Sequence, residues 1–187
     1  MPLSRARVIF SLAAFLFSLL AAQGQDGDPT CTKLLQAGDA GAVPACKAQL
    51  DAAENGPPTE RMSRIVADDE YGVALLAVGH QPKQSLEPFD REIGLLPGST
   101  VKPDSLQWAV AFWHRATAYQ QLHQWEQAAG DLKTAEDTFT DAIAAAGGDA
   151  PLVAHFRQLR QQVRKQHADV LDRQGKHSEA QRLLATQ

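Results

Sequence analysis

Residues 113–135, WHRATAYQQLHQWEQAAGDLKTA, decide the fold of this chain. Apolar and small residues recur there at three- and four-residue steps, the spacing that places side chains on one face of an α-helix. A short polar segment divides the stretch, so the pattern predicts two amphipathic helices joined by a tight turn. We expect the first helix over about 104–123 and the second over about 125–146, ended by Gly147-Gly148.

Helical patterns of the same kind extend over the rest of the chain. No stretch alternates Val, Ile or Thr with polar residues for five positions, as a half-buried strand would. Proline and glycine separate the patterns and mark the turns, and Ser178 is expected to cap the last helix. The sequence therefore predicts an all-α protein, with further helices over about 30–37, 44–54, 57–78, 82–97, 149–174 and 179–185.

Small residues recur at matching places in three of the predicted helix pairs, where they would let the two helices approach closely. A shift of 52 residues superposes Ala116 on Ala168, and Gly72 lies 44 positions before Ala116. In the second helices of the first two pairs, the corresponding small residues, Ser85 and Ala128, lie only 43 positions apart. We assign the one-residue difference to the turn around Pro82.

This pattern resembles the tetratricopeptide repeat, a helix-turn-helix unit with small residues where its helices cross. The resemblance implies three antiparallel pairs, at about 57–98, 103–147 and 149–187, stacked into a short right-handed solenoid. Residues 25–56 would precede them as a flexible leader and a smaller hairpin. Asp68 departs from the pattern, because a large apolar residue is preferred there. The residues expected to pack the repeats are Gly72, Ser85, Phe89, Ala116, Tyr119, Ala128, Leu132, Ala135, Ala168, Ala180 and Leu184.

Residues 1–24 have the features of a secretory signal peptide. Arg5 and Arg7 precede an apolar run over 8–22, and small residues lead to a cut after Gly24. We expect an exported protein, periplasmic rather than extracellular, with an uncleaved membrane tether as the alternative. No other stretch is long and apolar enough to span a bilayer. Loss of the two arginines changes the formal net charge from −4 to −6, and an acidic surface argues against nucleic acid as a partner.

Cys31 and Cys46 are the two cysteines of the chain, and in an exported protein such a pair usually forms a disulfide. We predict a bridge between them, with two buried free thiols as the alternative. One observation weighs against the bridge. Both cysteines lie near the start of a predicted helix, and in an antiparallel hairpin the two helix starts lie at opposite ends, so a bridge requires short helices or a Cys31 that lies in a loop.

Patterns typical of catalytic or metal sites are not found in the sequence. The six histidines have no H-x-x-x-H spacing, and there is no nucleophile motif and no glycine-rich phosphate loop. The acidic run Asp68-Asp69-Glu70 is interpreted as a solvated helix face rather than part of a general acid–base pair. We therefore expect no enzymatic activity, no metal and no cofactor.

The resemblance implies a ligand groove on the concave surface formed by the first helices of the pairs. Trp113 is expected to face this groove while Phe112 packs in the core, and packing of Trp113 against the adjacent helix is the alternative. The groove candidates are Val110, Trp113, His114, Thr117, Gln120, Gln121, Gln162, Lys165, Gln166 and Arg173. Arg157, Arg160 and Arg164 share a helix face, which is either a docking face for an acidic partner or an exposed face balanced by neighbouring acids.

These features favour a non-enzymatic scaffold or adaptor that binds a protein or peptide in the groove. The alternative is a structural subunit that self-assembles, for example as a homodimer. The last predicted repeat has no capping helix after it, so Leu171, Leu183 and Leu184 would form an apolar edge, and uncapped repeat arrays tend to pair.

Overall fold

The computed structural model describes residues 29–57, 60–97, 99 and 105–185, and all regular structure in these residues is helical, which confirms the all-α class. The predicted signal peptide (1–24) and the rest of the leader up to residue 28 lie outside the described residues. The helices are α1 (Pro29–Ala37), α2 (Ala42–Asn55), α3 (Arg61–Val73), which continues into a π-helical turn (Ala74–Val78), α4 (Pro82–Leu95), α5 (Leu106–Gln121), α6 (Trp125–Ala145), α7 (Ala150–Arg173) and α8 (His177–Ala185).

The described residues divide into two compact units, the first ending at Leu95 and the second beginning at Leu96. In the first unit α1 packs against α2, α2 against α3, and α3 against α4, and the π-helical turn contacts α2 and α4. In the second unit α5 to α8 likewise pack in chain order, and α5 also contacts α7. Because three or four residues join the two helices of each hairpin, these helices run antiparallel.

Three of the hairpins share one turn geometry. The middle residue of each turn, His80, His123 or Gly175, has a positive φ of 52°, 58° or 78°. The residue that follows donates its backbone N–H to a carbonyl near the end of the preceding helix, as Gln124 N does to Tyr119 O at 2.9 Å. These turns recur at intervals of 43 and 52 residues, which match the spacing of the small residues in the sequence.

The one-residue difference lies within α3 and not in the turn around Pro82, so that assignment is wrong. Gly72 lies eight residues before the positive-φ residue of its turn, whereas Ala116 and Ala168 lie seven residues before theirs. A π-helical turn closes over one residue more than an α-helical turn. The segment Ala74–Val78 therefore absorbs the extra residue, and the turn after it keeps its conformation.

The crossing of α3 and α4 depends on Gly72, as predicted. A Cβ atom at this position would lie 2.4 Å from Cε1 of Phe89, closer than any carbon–carbon contact allows. Phe89 and Ser85 are fully buried beside it, and Ser85 Oγ donates a hydrogen bond of 2.9 Å to the carbonyl of Pro82. The absence of a side chain at Gly72 thus makes room for the largest ring in this unit's core.

In the second unit, most of the predicted packing residues are in the core. Those fully or almost fully buried are Ala116, Ala128, Leu132, Ala135, Ala168 and Ala180. Tyr119 is partly buried. Leu184 is 52% exposed, so its predicted packing role is wrong, and Leu183 instead packs against the cluster around Leu171. Among the described residues no helix follows α8.

Cys31 and Cys46 form the predicted disulfide, with their Cα atoms 4.8 Å apart and both side chains fully buried. The objection from helix starts fails because α1 has only nine residues. Cys31 lies seven residues before Gly38 and Cys46 lies five residues after Gly41, so the antiparallel hairpin places them at about the same height. The bridge is compatible with an oxidising compartment.

The predicted N-terminal residues are correct for α7 and wrong for α8. The carboxylate of Asp149 accepts a hydrogen bond of 3.1 Å from the backbone of Leu152 and caps α7, which starts where it was expected and has Pro151 in its first turn. Helix α8 begins at His177, so Ser178 lies inside its first turn and does not cap it.

In the described part of the chain, no helix is both long enough and apolar enough to cross a membrane.

Candidate functional site

The predicted groove residues lie on α5 and α7 of the second unit, but two of them belong to the core. Trp113 is 1% exposed and Val110 is 2% exposed, so the expectation that Trp113 faces a ligand is wrong. The Trp113 ring packs edge-on against Phe139 of α6, with the ring centroids 6.4 Å apart. Trp113 shares a helix face with the buried Ala116, whereas Phe112, which was expected in the core, is only partly buried.

Gln166 of α7 connects three of the α5 candidates through one side-chain amide. Its Oε1 accepts a hydrogen bond of 2.6 Å from Trp113 Nε1, and its Nε2 donates to Thr117 Oγ1 at 3.2 Å and to Gln120 Oε1 at 2.6 Å. The Thr117 hydroxyl donates in turn to the Trp113 carbonyl at 3.0 Å. A buried indole N–H needs an acceptor, and this network provides it while it holds α5 and α7 together.

The remaining candidates on α5 and α7 are more exposed than this network. His114, Gln121 and Gln162 are partly exposed, and Lys165 and Arg173 are exposed. We call the following set the amide face: Thr117, Gln120, Gln121, Gln162, Lys165, Gln166 and Arg173. It offers amide donors and acceptors and two cationic groups, and it lacks the aromatic anchor that the sequence predicted.

Of the three arginines on this face of α7, Arg164 is balanced by an acid of a neighbouring helix, as the second of the two interpretations expected. Arg164 Nε donates to Glu136 Oε1 on α6 at 2.7 Å, and Arg160 Nη1 lies 3.4 Å from Thr140 Oγ1. Burial of the Glu136 carboxyl would raise its pKa, but His167 and Arg164 beside it outweigh burial and hold the pKa of Glu136 below its usual range. Arg164 therefore has an internal role, and Arg157 is left exposed.

A cavity of about 260 Å³ in the first unit was not predicted from the sequence. Its lining residues are Glu54, Arg64, Asp68, Arg91, Gly94 and Leu95. Arg91 of α4 donates to Asp68 of α3 from both Nε and Nη2 at 2.9 Å, and its Nη1 donates to Glu87 at 2.9 Å. This two-bond pair joins α3 to α4 beside the cavity and explains why an acid stands where the repeat pattern prefers an apolar residue.

The acidic run of α3 is buried, so its interpretation as a solvated face is wrong. Asp68, Asp69 and Glu70 are only 2%, 3% and 4% exposed. Burial raises the pKa of Asp68 to about 6, although the hydrogen bonds and the positive charge of Arg91 oppose the rise. The sequence suggested an exposed face because the run consists of charged residues. The partner of Asp68, Arg91 on α4, lies 23 residues away and was not recognised.

Glu70 joins the first three helices of its unit. Thr32 Oγ1 of α1 donates to Glu70 Oε1 at 2.8 Å, and Gln49 of α2 donates to Glu70 Oε2. The second oxygen also lies 3.7 Å from Cys31 Sγ, next to the disulfide. A charge this deeply buried requires such hydrogen bonds, which hold the cysteine hairpin against α3.

Glu70 and Gln166 occupy equivalent positions in their helices. Each lies two residues before the small residue of its helix, Gly72 or Ala168, and each bonds a side chain on the first helix of the preceding pair. A polar residue at this offset in two of the pairs was the sequence signal for this role. His114 has the same offset in the remaining pair.

In the residues that the structure describes, no three side chains of the metal-binding types cluster closely enough to hold a metal ion. No family model, curated protein or solved structure matches the chain. The resemblance to tetratricopeptide repeats therefore depends on the spacing and the turn geometry of the chain itself.

Proposed function

We propose that this chain is a non-enzymatic, tetratricopeptide-like scaffold that binds a protein or peptide on its amide face. In this proposal the helix pairs stack as a short right-handed solenoid, and the protein is exported to the periplasm. The common turn geometry at His80, His123 and Gly175 supports the repeat assignment. The disulfide supports export, because such bridges persist mainly in oxidising compartments.

The observation that carries the binding proposal is the Gln166 network. It fixes α5 and α7 side by side, so that Gln121, Gln162 and Lys165 extend from a rigid support. Side-chain amides present a donor and an acceptor that match those of a peptide group. Such a surface suits an extended peptide held by hydrogen bonds, with the two cations favouring an acidic segment.

An affinity pull-down from cell-envelope extract tests the proposal. The bait is the mature chain, compared with a variant carrying Gln121→Ala, Gln162→Ala and Lys165→Ala, all at partly or fully exposed positions. Trp113 is left intact, because its removal would disturb the core. We expect a partner retained by the wild type and lost by this variant.

The matched control carries Lys133→Ala and Asp137→Ala, which remove an exposed pair on α6 away from the amide face. It should retain the partner as well as the wild type does. Equal retention by all three proteins would place binding elsewhere and reject the amide face.

Self-assembly is the second candidate, and the exposure of Leu184 favours it. This side chain is 52% exposed at the end of α8, beside the partly buried Leu183. Concentration-dependent light scattering should then show a dimer that Leu184→Glu dissociates, whereas Ala185→Glu at the exposed neighbouring position leaves it intact. A wild-type monomer at micromolar concentration would exclude this candidate.

A further inference from the structure

Asn55 is the single asparagine of the sequence, and glycine follows it. It is exposed and forms the last residue of α2. Glycine has no Cβ, so the peptide nitrogen of Gly56 is unhindered and the backbone around it rotates freely. We propose that Asn55 is a site of spontaneous deamidation, where the folded protein acquires an aspartate or isoaspartate.

The reaction needs water and no other co-reactant. The Gly56 nitrogen loses its proton to hydroxide and attacks Asn55 Cγ, forming the N–C bond of a five-membered succinimide. The Cγ–Nδ2 bond breaks, and the nitrogen leaves as ammonia. Water then adds to either ring carbonyl and opens the ring, which gives aspartate or isoaspartate without any change of oxidation state.

Two hydrogen bonds oppose the reaction in the folded chain, and both are at the helix end. Asn55 Nδ2 donates to the Asp51 carbonyl at 2.7 Å, and Gly56 N donates to the Ala53 carbonyl at 3.4 Å. The second bond is long, so it protects the attacking nitrogen weakly. Fraying of the last helical residue breaks both bonds without opening the core, and helix ends fray readily.

The modification would act on Arg64, which binds the end of α2. Its guanidinium donates to the carbonyls of Ala53, Glu54 and Gly56 at 3.1, 3.4 and 3.2 Å. Isoaspartate inserts a methylene into the backbone between the second and third of these carbonyls, so Arg64 can no longer reach all three. The new carboxylate also adds a negative charge next in sequence to Glu54, which lines the cavity with Arg64 and Asp68.

The test is incubation of the full chain at mildly alkaline pH, followed by trypsin and mass spectrometry of the peptide 48–61. This peptide contains Gln49 as well as the one asparagine, so fragment ions that place the increase of one mass unit at Asn55 identify the site, and enzymatic methylation of isoaspartyl groups identifies the isomer. We expect both signals from the folded chain. A chain unfolded in urea serves as the positive control.

Gly56→Ala is the matched variant. Its Cβ would lie 3.4 Å from the Ala53 carbonyl oxygen and Glu60 Oε2, ordinary contacts, and the φ of −75° suits alanine. It should fold normally and deamidate about tenfold more slowly, because alanine hinders the Gly56 nitrogen. Conversion in urea but not in the folded chain, or equal rates in both proteins, would overturn the proposal.

Asn55→Asp separates the charge from the longer backbone. If Arg64 is displaced as inferred, the isoaspartate-containing protein unfolds at a lower urea concentration than Asn55→Asp does. Identical unfolding midpoints would refute the displacement of Arg64, while the mass signal would still decide the modification itself.

Discussion

The hairpins α3–α4 and α5–α6 end in the same turn but reach it by different routes. Helix α5 arrives as a regular α-helix, whereas α3 carries one extra residue and passes through the π-helical turn Ala74–Val78. The middle residue of the turn nevertheless has nearly the same φ, 52° at His80 and 58° at His123. The comparison teaches that the turn and the crossing of the helices are fixed, and that the helix between them deforms to fit.

The same two hairpins also pair arginine and carboxylate in opposite directions. In α3–α4 the acid, Asp68, stands on the first helix and Arg91 on the second. In α5–α6 the first helix supplies Arg115, whose Nε and Nη2 donate to Asp131 of the second at 2.8 Å each. Either order joins the hairpin, since a two-bond arginine–carboxylate contact does not depend on which helix supplies the charge.

Deletion of one residue breaks the comparison most strongly. Deletion of Ala77 should turn the π-helical turn into a regular one and leave the first unit folded, because Gly72 then lies seven residues before its turn residue. Deletion of Gln120 from α5 should rotate Trp113 by about 100° away from the core and prevent the second unit from folding. Circular dichroism and hydrogen exchange measure both results. Equal damage from the two deletions would show that the π-helical turn is not an accommodated insertion.

The crossing position gives the next largest effect. Gly72→Ala should destabilise the protein by about 3 kcal/mol, because Phe89 must move to admit the new methyl group. Gly94→Ala is the matched control on the exposed side of α4, where no atom lies within 4 Å, and it should stabilise by about 0.5–1 kcal/mol. Urea unfolding measures both free energies, and a harmless Gly72→Ala would contradict the close approach.

The two units should respond to pH in opposite ways. The pKa of Asp68 is raised to about 6, so the folded first unit binds this proton more tightly than the unfolded chain does, and its stability falls as pH rises from about 4 to about 6. The loss amounts to about 3 kcal/mol and disappears in Asp68→Asn. The pKa of Glu136 is lowered, so Glu136 stabilises the second unit above its unfolded pKa, and this contribution is lost as pH falls through its folded pKa.

Hydrogen-exchange protection of α3 and α6, measured at about pH 4 and pH 7, separates these two effects. Protection of α3 should be greater at the lower pH and that of α6 greater at the higher pH. A parallel change in both helices would contradict the opposite pKa shifts.

The turn residues give the smallest effects. His80→Gly and His123→Gly should each stabilise the protein by about 0.5–1 kcal/mol, since glycine adopts a positive φ without strain. Gly175→Ala should destabilise it by a similar amount for the converse reason. Thermal unfolding midpoints measure all three. Unequal gains from the two histidine changes would show that the shared φ conceals different strain in the two turns.

Features that depend on residues close together in the sequence could be predicted, and features that depend on distant partners could not. Helix periodicity and the spacing of small residues were sufficient for the helices and for the close approach at Gly72. The disulfide was predicted from the two cysteines of an expected exported chain, against the helix pattern. The environment of Asp68 could not be predicted, because its burial depends on Arg91, 23 residues away. The orientation of Trp113, in contrast, could have been predicted from local spacing. Trp113 lies three residues after Val110 and three before Ala116, on the buried face of α5 that packs against Phe139 of α6.

The distribution of the three tryptophans makes the two units separately observable. Trp108, Trp113 and Trp125 all lie in the second unit, so tryptophan fluorescence, excited selectively over tyrosine, follows the unfolding of that unit alone. The disulfide lies in the first unit with both sulfur atoms buried, so its reaction with an added reductant, trapped by a thiol dye, follows the opening of that unit. One sample therefore gives two independent optical records, and the comparison between the hairpins can be made without cutting the chain.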